Sequence, residues 1–297
     1  MAKHRKKCAF LTMQDTDGWS IDADLAIPHL DTLGWQVEWV VWQGADIDWN
    51  DFAAVYIGTP WDYPEDPAQF MSLLQMIDNS QAILVNDIRI VRWNIEKTYL
   101  RDLQQGGAAI VPTIYGEGLQ RDMLAGYFAE HDCDKIIIKP VVSTNATDTF
   151  LLERSPPEDV MTQLLAAFSG RHFMVQPFIG SIQDEGEYSL FYFGDTFSHA
   201  IRKTPKREDF RVQEEHGARI EQVEPEDALI AAADRALSVV NPAPMYARCD
   251  FVRGADGRFL VMELELIEPS MYLRMKEGSA KAFAAAFNDH VVRLSSG

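Results

Sequence analysis

Arg248, Asp250, Glu263 and Glu265 have the types and spacing for phosphate and metal chemistry. They lie in the stretch Tyr246-Ala-Arg-Cys-Asp-Phe-Val-Arg-Gly-Ala-Asp-Gly-Arg-Phe-Leu-Val-Met-Glu-Leu-Glu-Leu266. This reads as two strands joined at Asp256-Gly257, a dipeptide suited to a type I′ turn, in which both central residues need positive φ. With that pair as the loop, Ala255 faces Arg258, Asp250 faces Glu263 and Arg248 faces Glu265. Strand alternation then puts the four charged residues on one face and Phe251, Leu260, Met262 and Leu264 on the other. A one-residue slip would destroy that arrangement. Carboxylates facing each other across a sheet repel. A divalent cation removes the conflict, since Mg²⁺ is typically held by one or two carboxylates together with substrate phosphates. Arg248 beside them offers a positive fork for a phosphate or an oxyanion. A solvated hairpin face with an Arg248–Glu265 salt bridge fits the same residues, and the hairpin alone does not choose between the two.

The elements before this hairpin fall into two styles. Up to residue 93, strand signals (8–13, 37–42, 54–58, 82–85) alternate with helical spacing (22–33, 66–77), which predicts a parallel α/β sheet with crossover helices. No GxGxxG follows the first strand, which argues against a dinucleotide site there. Trp61, Asp62 and Tyr63 follow the strand ending at Gly58-Thr59, where open α/β sheets bind ligands, and are candidate substrate contacts. They equally suit a rigid proline-flanked loop. From residue 94 the chain changes character. A helix is predicted over 94–105, then strands over 135–140 and 149–152 around a small polar loop at 143–147. A helix over 156–168 and a strand over 172–178 follow. A second hairpin covers 187–193 and 196–202, and helices are predicted over 227–240 and 279–290.

The chain has 297 residues, 47% of them hydrophobic and 24% charged, as expected of a globular protein of several lobes. A net charge of −18 argues against nucleic acid or an anionic membrane surface as partner. Three scattered cysteines and seven histidines without ligand spacing predict a reducing compartment and no zinc. Cys249 alternates to the apolar side of the hairpin and reads as a buried thiol. The basic start, Met1-Ala-Lys-His-Arg-Lys-Lys7, resembles the front of a signal peptide, but the apolar run after it is too short. No segment approaches the ~18 apolar residues of a membrane span. A cytoplasmic protein is expected.

The order of these parts resembles the ATP-grasp superfamily. The resemblance runs from Asn94 to about Ser270 and rests on Asn94-x-x-Lys97, Ile136-Ile-Ile-Lys139-Pro, Gln176-Pro-Phe-Ile179 and Asp250 followed by Glu263-x-Glu265. It implies an α/β and α+β architecture: an ATP-grasp fold behind an N-terminal parallel-sheet domain (1–93), with a small lobe (94–180) and a C-terminal lobe carrying the metal site (181–297). It implies ATP and Mg²⁺ as cofactors, two ions being expected and Mn²⁺ an alternative. Lys97 and Lys139 resemble the lysines that reach the nucleotide phosphates. The loop with Ser143, Thr144 and Asn145 resembles the phosphate lid, although the usual glycines are missing. Gln176, Phe178 and Ile179 resemble the adenine-binding hinge. Glu187, with Glu185 as rival, resembles the ribose ligand, and Arg202 and Lys203 resemble groups that approach the γ-phosphate. Asp250, Glu263 and Glu265 resemble the metal ligands, and Arg248 the catalytic arginine. Where many members carry Asn in the last metal position, this chain has Glu265.

Within the superfamily, Phe197-Ser-His-Ala-Ile-Arg-Lys203, Glu215-His-Gly-Ala218 and Leu264-Glu-Leu-Ile-Glu-Pro-Ser270 look most like the branch around the ligase that closes the ring in cycloserine biosynthesis. The implied reaction has two steps. A substrate carboxylate takes the γ-phosphoryl group of ATP, and a nitrogen then displaces phosphate to leave an amide. The partners implied are a small carboxylate and an amine. The nitrogen belongs either to a second molecule or to the same one, and a homodimer is compatible with the chain. Ser270, Tyr272 and Arg274 join the candidate substrate contacts. A nucleotide-binding protein without turnover stays open as a third reading, because of the glycine-poor lid.

Overall fold

The computed structural model describes residues 5–207 and 209–296. Met1 to His4, part of the basic start, lie outside them. The next residues enter a strand. The first sheet has the order β2-β1-β3-β4, all parallel, from β1 (Lys6–Thr12), β2 (Trp35–Val41), β3 (Ala54–Thr59) and β4 (Ile83–Val85). β3 is buried along its whole length, as expected of a parallel strand covered on both faces. Between the strands run α1 (Ile27–Thr32) and α2 (Pro67–Asp78). Asp66 caps α2 by accepting from the Gln69 amide, and Pro67 occupies the first turn.

Of the helix expected over 94–105 only the second half forms, as α4 (Tyr99–Gln105), and an unforeseen helix, α3 (Ile88–Asn94), ends where the expected one was to begin. The break between them has a tertiary cause. The Lys97 amide donates to the Val141 carbonyl at 2.8 Å instead of to a helical partner. The Asn94 side chain donates to the Leu264 carbonyl at 2.7 Å and accepts from the Leu266 amide at 3.0 Å. Lys97 therefore leaves the helix and faces a cleft.

The second sheet has the order β5-β8-β6-β7, antiparallel, from β5 (Ile114–Glu117), β6 (Lys135–Pro140), β7 (Phe150–Glu153) and β8 (His172–Pro177). α5 (Leu124–Glu130) and α6 (Glu158–Ala167) pack on it. β5 and α5 were not expected. Gly116 interrupts the strand pattern of β5 because Phe173 fills the space beside it, and a Cβ there would come within 2.5 Å of that ring.

After α7 (Ser181–Asp184) comes the third sheet, ordered β11-β10-β9-β12-β13, from β9 (Glu187–Phe193), β10 (Thr196–Thr204), β11 (Arg219–Val223), β12 (Tyr246–Arg253) and β13 (Phe259–Glu265). β11 hides in the charged stretch that the sequence left without structure. α8 (Asp227–Leu237) packs against the apolar face of this sheet. The last helix, α9 (Ser279–Ser295), returns to the first sheet, where Phe287 meets Trp35 edge-on at 5.2 Å.

The β12–β13 hairpin keeps the expected pairs by a different route. Arg248 faces Glu265 and Asp250 faces Glu263. The turn is not type I′. Of the Asp256-Gly257 pair only Gly257 has positive φ, and the Gly254 amide bonds the Arg258 carbonyl around a three-residue loop. That loop offsets the register by one, and a β-bulge at Met262 offsets it back, since Phe251 pairs with Val261. Cys249 and Leu264 lie in the core as expected. Leu260 and Met262 do not share the face of Phe251. The bulge moves them to the other side, where they pack with Val252, Phe178 and Ile179.

Asn86 fixes this hairpin to the first sheet. It is fully buried at φ +61°. Its amide donates to the Tyr246 and Leu266 carbonyls at 2.9 and 2.8 Å and accepts from the Met245 amide at 2.6 Å. Asn86→Ala orphans three buried backbone groups. It is expected to lower stability by about 2–4 kcal/mol, measured as a reduced urea midpoint. An unchanged midpoint would contradict that role.

Candidate active site

A deep cleft runs between the second and third sheets, with about 1640 Å³ of open space including its mouth. Its wall contains Lys97, Lys139, Ser143, Thr144, Asn145, Gln176, Phe178, Ile179, Glu187, Lys203, Arg248, Asp250, Glu263 and Glu265. Trp61, Tyr63, Ser270 and Tyr272 line it as well. The acidic face of β12–β13 is thus the floor beneath both lysines.

Each acidic group on the floor, Glu268 apart, is held by a cation. Asp250 receives Arg248 Nη2 at 2.9 Å and lies 3.6 Å from Lys203 Nζ, with the Ser189 hydroxyl donating to it. Burial alone would raise its pKa, but Arg248 and Lys203 outweigh that and hold it below the usual range. Arg248 Nη2 also reaches Glu265. Lys97 Nζ lies 3.1 Å from Glu263, whose pKa falls because Lys97 and Lys139 overcome its burial. Lys203 and Glu187 pair at 2.7 Å in a nearly dry setting. Glu265 is pushed up to about 7 by burial, with Arg248 opposing and Glu263 and Asp250 adding to the rise. Glu268, three residues on, is raised well above the carboxylate range by burial and then by Glu265.

Among the described residues no three His, Cys, Asp or Glu side chains form a ready-made metal cage. The donor set nevertheless fits a hard cation, because Asp250, Glu263 and Glu265 are carboxylates on one face of the cleft floor. Mg²⁺ bound there would take over charges now balanced by Lys97, Lys203 and Arg248.

At one end of the cleft, Phe178, Ile179, Val252 and Met262 form an apolar slot suited to a flat heterocycle. Val252 and Met262 were not foreseen, since only the bulge turns Met262 inward. The loop at 143–147, expected to act as the phosphate lid, contains no glycine yet uses glycine-like backbone. Asn145, Ala146 and Asp148 have φ of +51°, +55° and +52°. For Ala146 that conformation costs about 1 kcal/mol. The Thr144 hydroxyl ties the lid to the Trp61 carbonyl at 2.9 Å, and Lys97 Nζ donates to the Ser143 carbonyl at 2.6 Å.

Four expected site residues face elsewhere. Arg202 alternates with Lys203 along β10, so when Lys203 points into the cleft Arg202 points out, to Glu221 at 3.2 Å. Glu185 holds Arg253 at 3.0 Å and accepts from the Tyr188 hydroxyl at 2.7 Å. Asp62 accepts from Trp42 Nε1 and Gln43 Nε2, both at 2.6 Å. Arg274 pairs with Asp22 at 3.1 Å and with Glu214. Conversely, Trp19 and Glu268 line the cleft without having been foreseen. Glu268 lay in the quoted Leu-Ile-Glu-Pro-Ser motif, just beyond the strand alternation that singled out Glu263 and Glu265.

Two family models match successive parts of the chain. Residues 8–86 match the family model "D-cycloserine synthetase DcsG, N-terminal domain", and residues 98–238 match "Prokaryotic glutathione synthetase, ATP-grasp domain". The cycloserine biosynthesis protein DcsG of Streptomyces lavendulae is 31% identical over 304 residues, covering 93% of this chain and 97% of that protein. The crystal structure of D-cycloserine synthetase DcsG superposes with a TM-score of 0.84 at 28% identity, covering 96% of this chain and 99% of the other. The fold also matches the VanG D-Ala:D-Ser ligase from Enterococcus faecalis, with a TM-score of 0.72 at 11% identity over 98% of this chain and 99% of that one. The chain belongs to the DcsG family of ATP-grasp enzymes and is an ATP-dependent ligase that forms carbon–nitrogen bonds.

Proposed function

We propose that this ligase activates the carboxylate of a small, amino-acid-like substrate as an acyl phosphate, and that a nitrogen of the same molecule then closes a ring. The observation that carries the chemistry is the shared floor, where Lys97–Glu263 stands beside Arg248 with Asp250 and Glu265. The likeness to DcsG along nearly the whole chain supports ring closure over the joining of two molecules.

In this reading, the Phe178–Ile179–Val252–Met262 slot takes the adenine, and Lys139 and the lid amides meet the phosphates. Mg²⁺ on the three carboxylates would neutralise phosphate charge during transfer. Arg248, fixed by Asp250, orients the substrate carboxylate, whose oxygen bonds to the γ-phosphorus as ADP departs. The substrate nitrogen then bonds to the acyl carbon and loses a proton, while phosphate leaves with the former carboxylate oxygen. The lid keeps water from the acyl phosphate in between.

ADP release with MgATP and a panel of small amino acids, followed by mass spectrometry, tests this. Ring closure is expected to give a product lighter than one acid by one water. A product with the summed mass of acid and amine, less one water, would replace cyclisation by intermolecular ligation.

A further inference from the structure

Glu268 is 9% exposed and stands in the cleft wall near Trp61, Tyr63 and Ser270. The other acidic residues of the floor have basic partners: Lys97 for Glu263, Lys203 for Glu187, and Arg248 for Asp250 and Glu265. Among the described residues the Glu268 carboxylate has neither a hydrogen-bond nor an ion-pair partner. Its position is nevertheless fixed, because its main-chain carbonyl accepts from Trp61 Nε1 at 2.9 Å. The carboxylate opens into the cleft, partly dehydrated and without a counter-charge, so a ligand cation beside it gains an interaction that the protein alone does not supply.

The surroundings identify the kind of cation. The phosphates and the reacting carboxylate require the basic groups Lys97, Lys139, Lys203 and Arg248. Glu268 presents the opposite charge in the same cleft. Trp19 and Trp61 pack together there with ring centres 4.9 Å apart, and aromatic faces attract ammonium groups. An arriving ammonium also favours the ionised form of this carboxylate, which burial opposes.

We propose that Glu268 binds the primary ammonium group of the substrate, and thereby makes the enzyme select amino acids over the corresponding desamino acids. The inference rests on the ligase reading of this cleft given above. Glu268 is a specificity residue here and takes no part in phosphoryl transfer.

The test compares wild type and Glu268→Gln, each loaded with a non-hydrolysable ATP analogue. Calorimetry measures binding of several small amino acids, each paired with the acid that lacks its amine. Wild type is expected to favour the amine-bearing member by about 10- to 100-fold, the value of a charge-assisted hydrogen bond, and Glu268→Gln to bring that ratio close to one. A merely structural role would weaken both members of a pair together. Equal or absent binding of the pairs by wild type, or an undiminished ratio in Glu268→Gln, overturns the proposal. If Glu268→Gln does not fold, Glu268→Asp, which keeps the charge on a shorter arm, is expected to lower the ratio partway, and no change in it overturns the proposal equally. ADP release measured alongside separates the two readings. Turnover without amine preference removes only the role of Glu268, whereas amine-selective binding without ADP release by any acid removes the ligase chemistry.

Discussion

Glu263→Gln is expected to lower ADP formation by about 100- to 1000-fold, the scale of losing one well-placed charge-stabilising group. The substitution keeps the size of the side chain and removes only its charge. Two things depend on that charge: the hold on Lys97 Nζ at 3.1 Å and one of the three oxygen donors offered to Mg²⁺. Lys97 retains the Ser143 carbonyl at 2.6 Å, so the fold is expected to survive with a modest loss of stability. Raising the Mg²⁺ concentration should recover part of the activity if the lost donor weakens metal binding. Near-normal ADP production at ordinary Mg²⁺ would remove Glu263 from the site.

Arg248→Met is expected to act on both stability and turnover. Its guanidinium reaches Asp250 through Nε and Nη2 and reaches Glu265 through Nη2, and the residue is 9% exposed. Removing it leaves two partly dehydrated carboxylates on one floor with only Lys203 and Ser189 beside Asp250. Breaking such a buried pair costs about 3–5 kcal/mol. Arg248→Met should therefore unfold at clearly lower urea, and the double variant Arg248→Met, Asp250→Asn should regain part of the loss. A single variant as resistant to urea as wild type would mean that the arginine contributes nothing net to the fold.

The sequence made the floor legible because strand alternation is a strong rule and the charged residues obey it. Arg248, Asp250, Glu263 and Glu265 share a face whether the turn has two residues or three, provided that a bulge compensates. The parallel first sheet was readable because strand and helix signals alternate over the first 85 residues, and β3 is buried along its whole length as such a sheet requires. What failed depended on contacts distant in sequence. Helix propensity over 94–105 could not reveal that Val141 would take the Lys97 amide. Proximity along the chain drew in Arg202 beside Lys203, although neighbours on a strand must diverge. Asp62 and Arg274 looked free only because Trp42, Gln43, Asp22 and Glu214 are remote or unremarkable in the sequence. Glu268 was missed because it lies past the end of β13, where no periodicity marks the direction of a side chain.

The three-residue loop and the swelling at Met262 also constrain how the gene for this hairpin can change in length. Each shifts the pairing by one step, and only together do they return Asp250 to Glu263. A single-codon deletion in the loop leaves Gly254 opposite Arg258 and shortens the connection to two residues, so the acidic trio and its apolar backing keep their sides of the sheet. Loss of Met262 would remove the bulge, leave Asp250 opposite Glu263 in a regular ladder, and take away one wall of the heterocycle slot. Natural variants shortened at Met262 should therefore carry a bulkier residue elsewhere against Phe178.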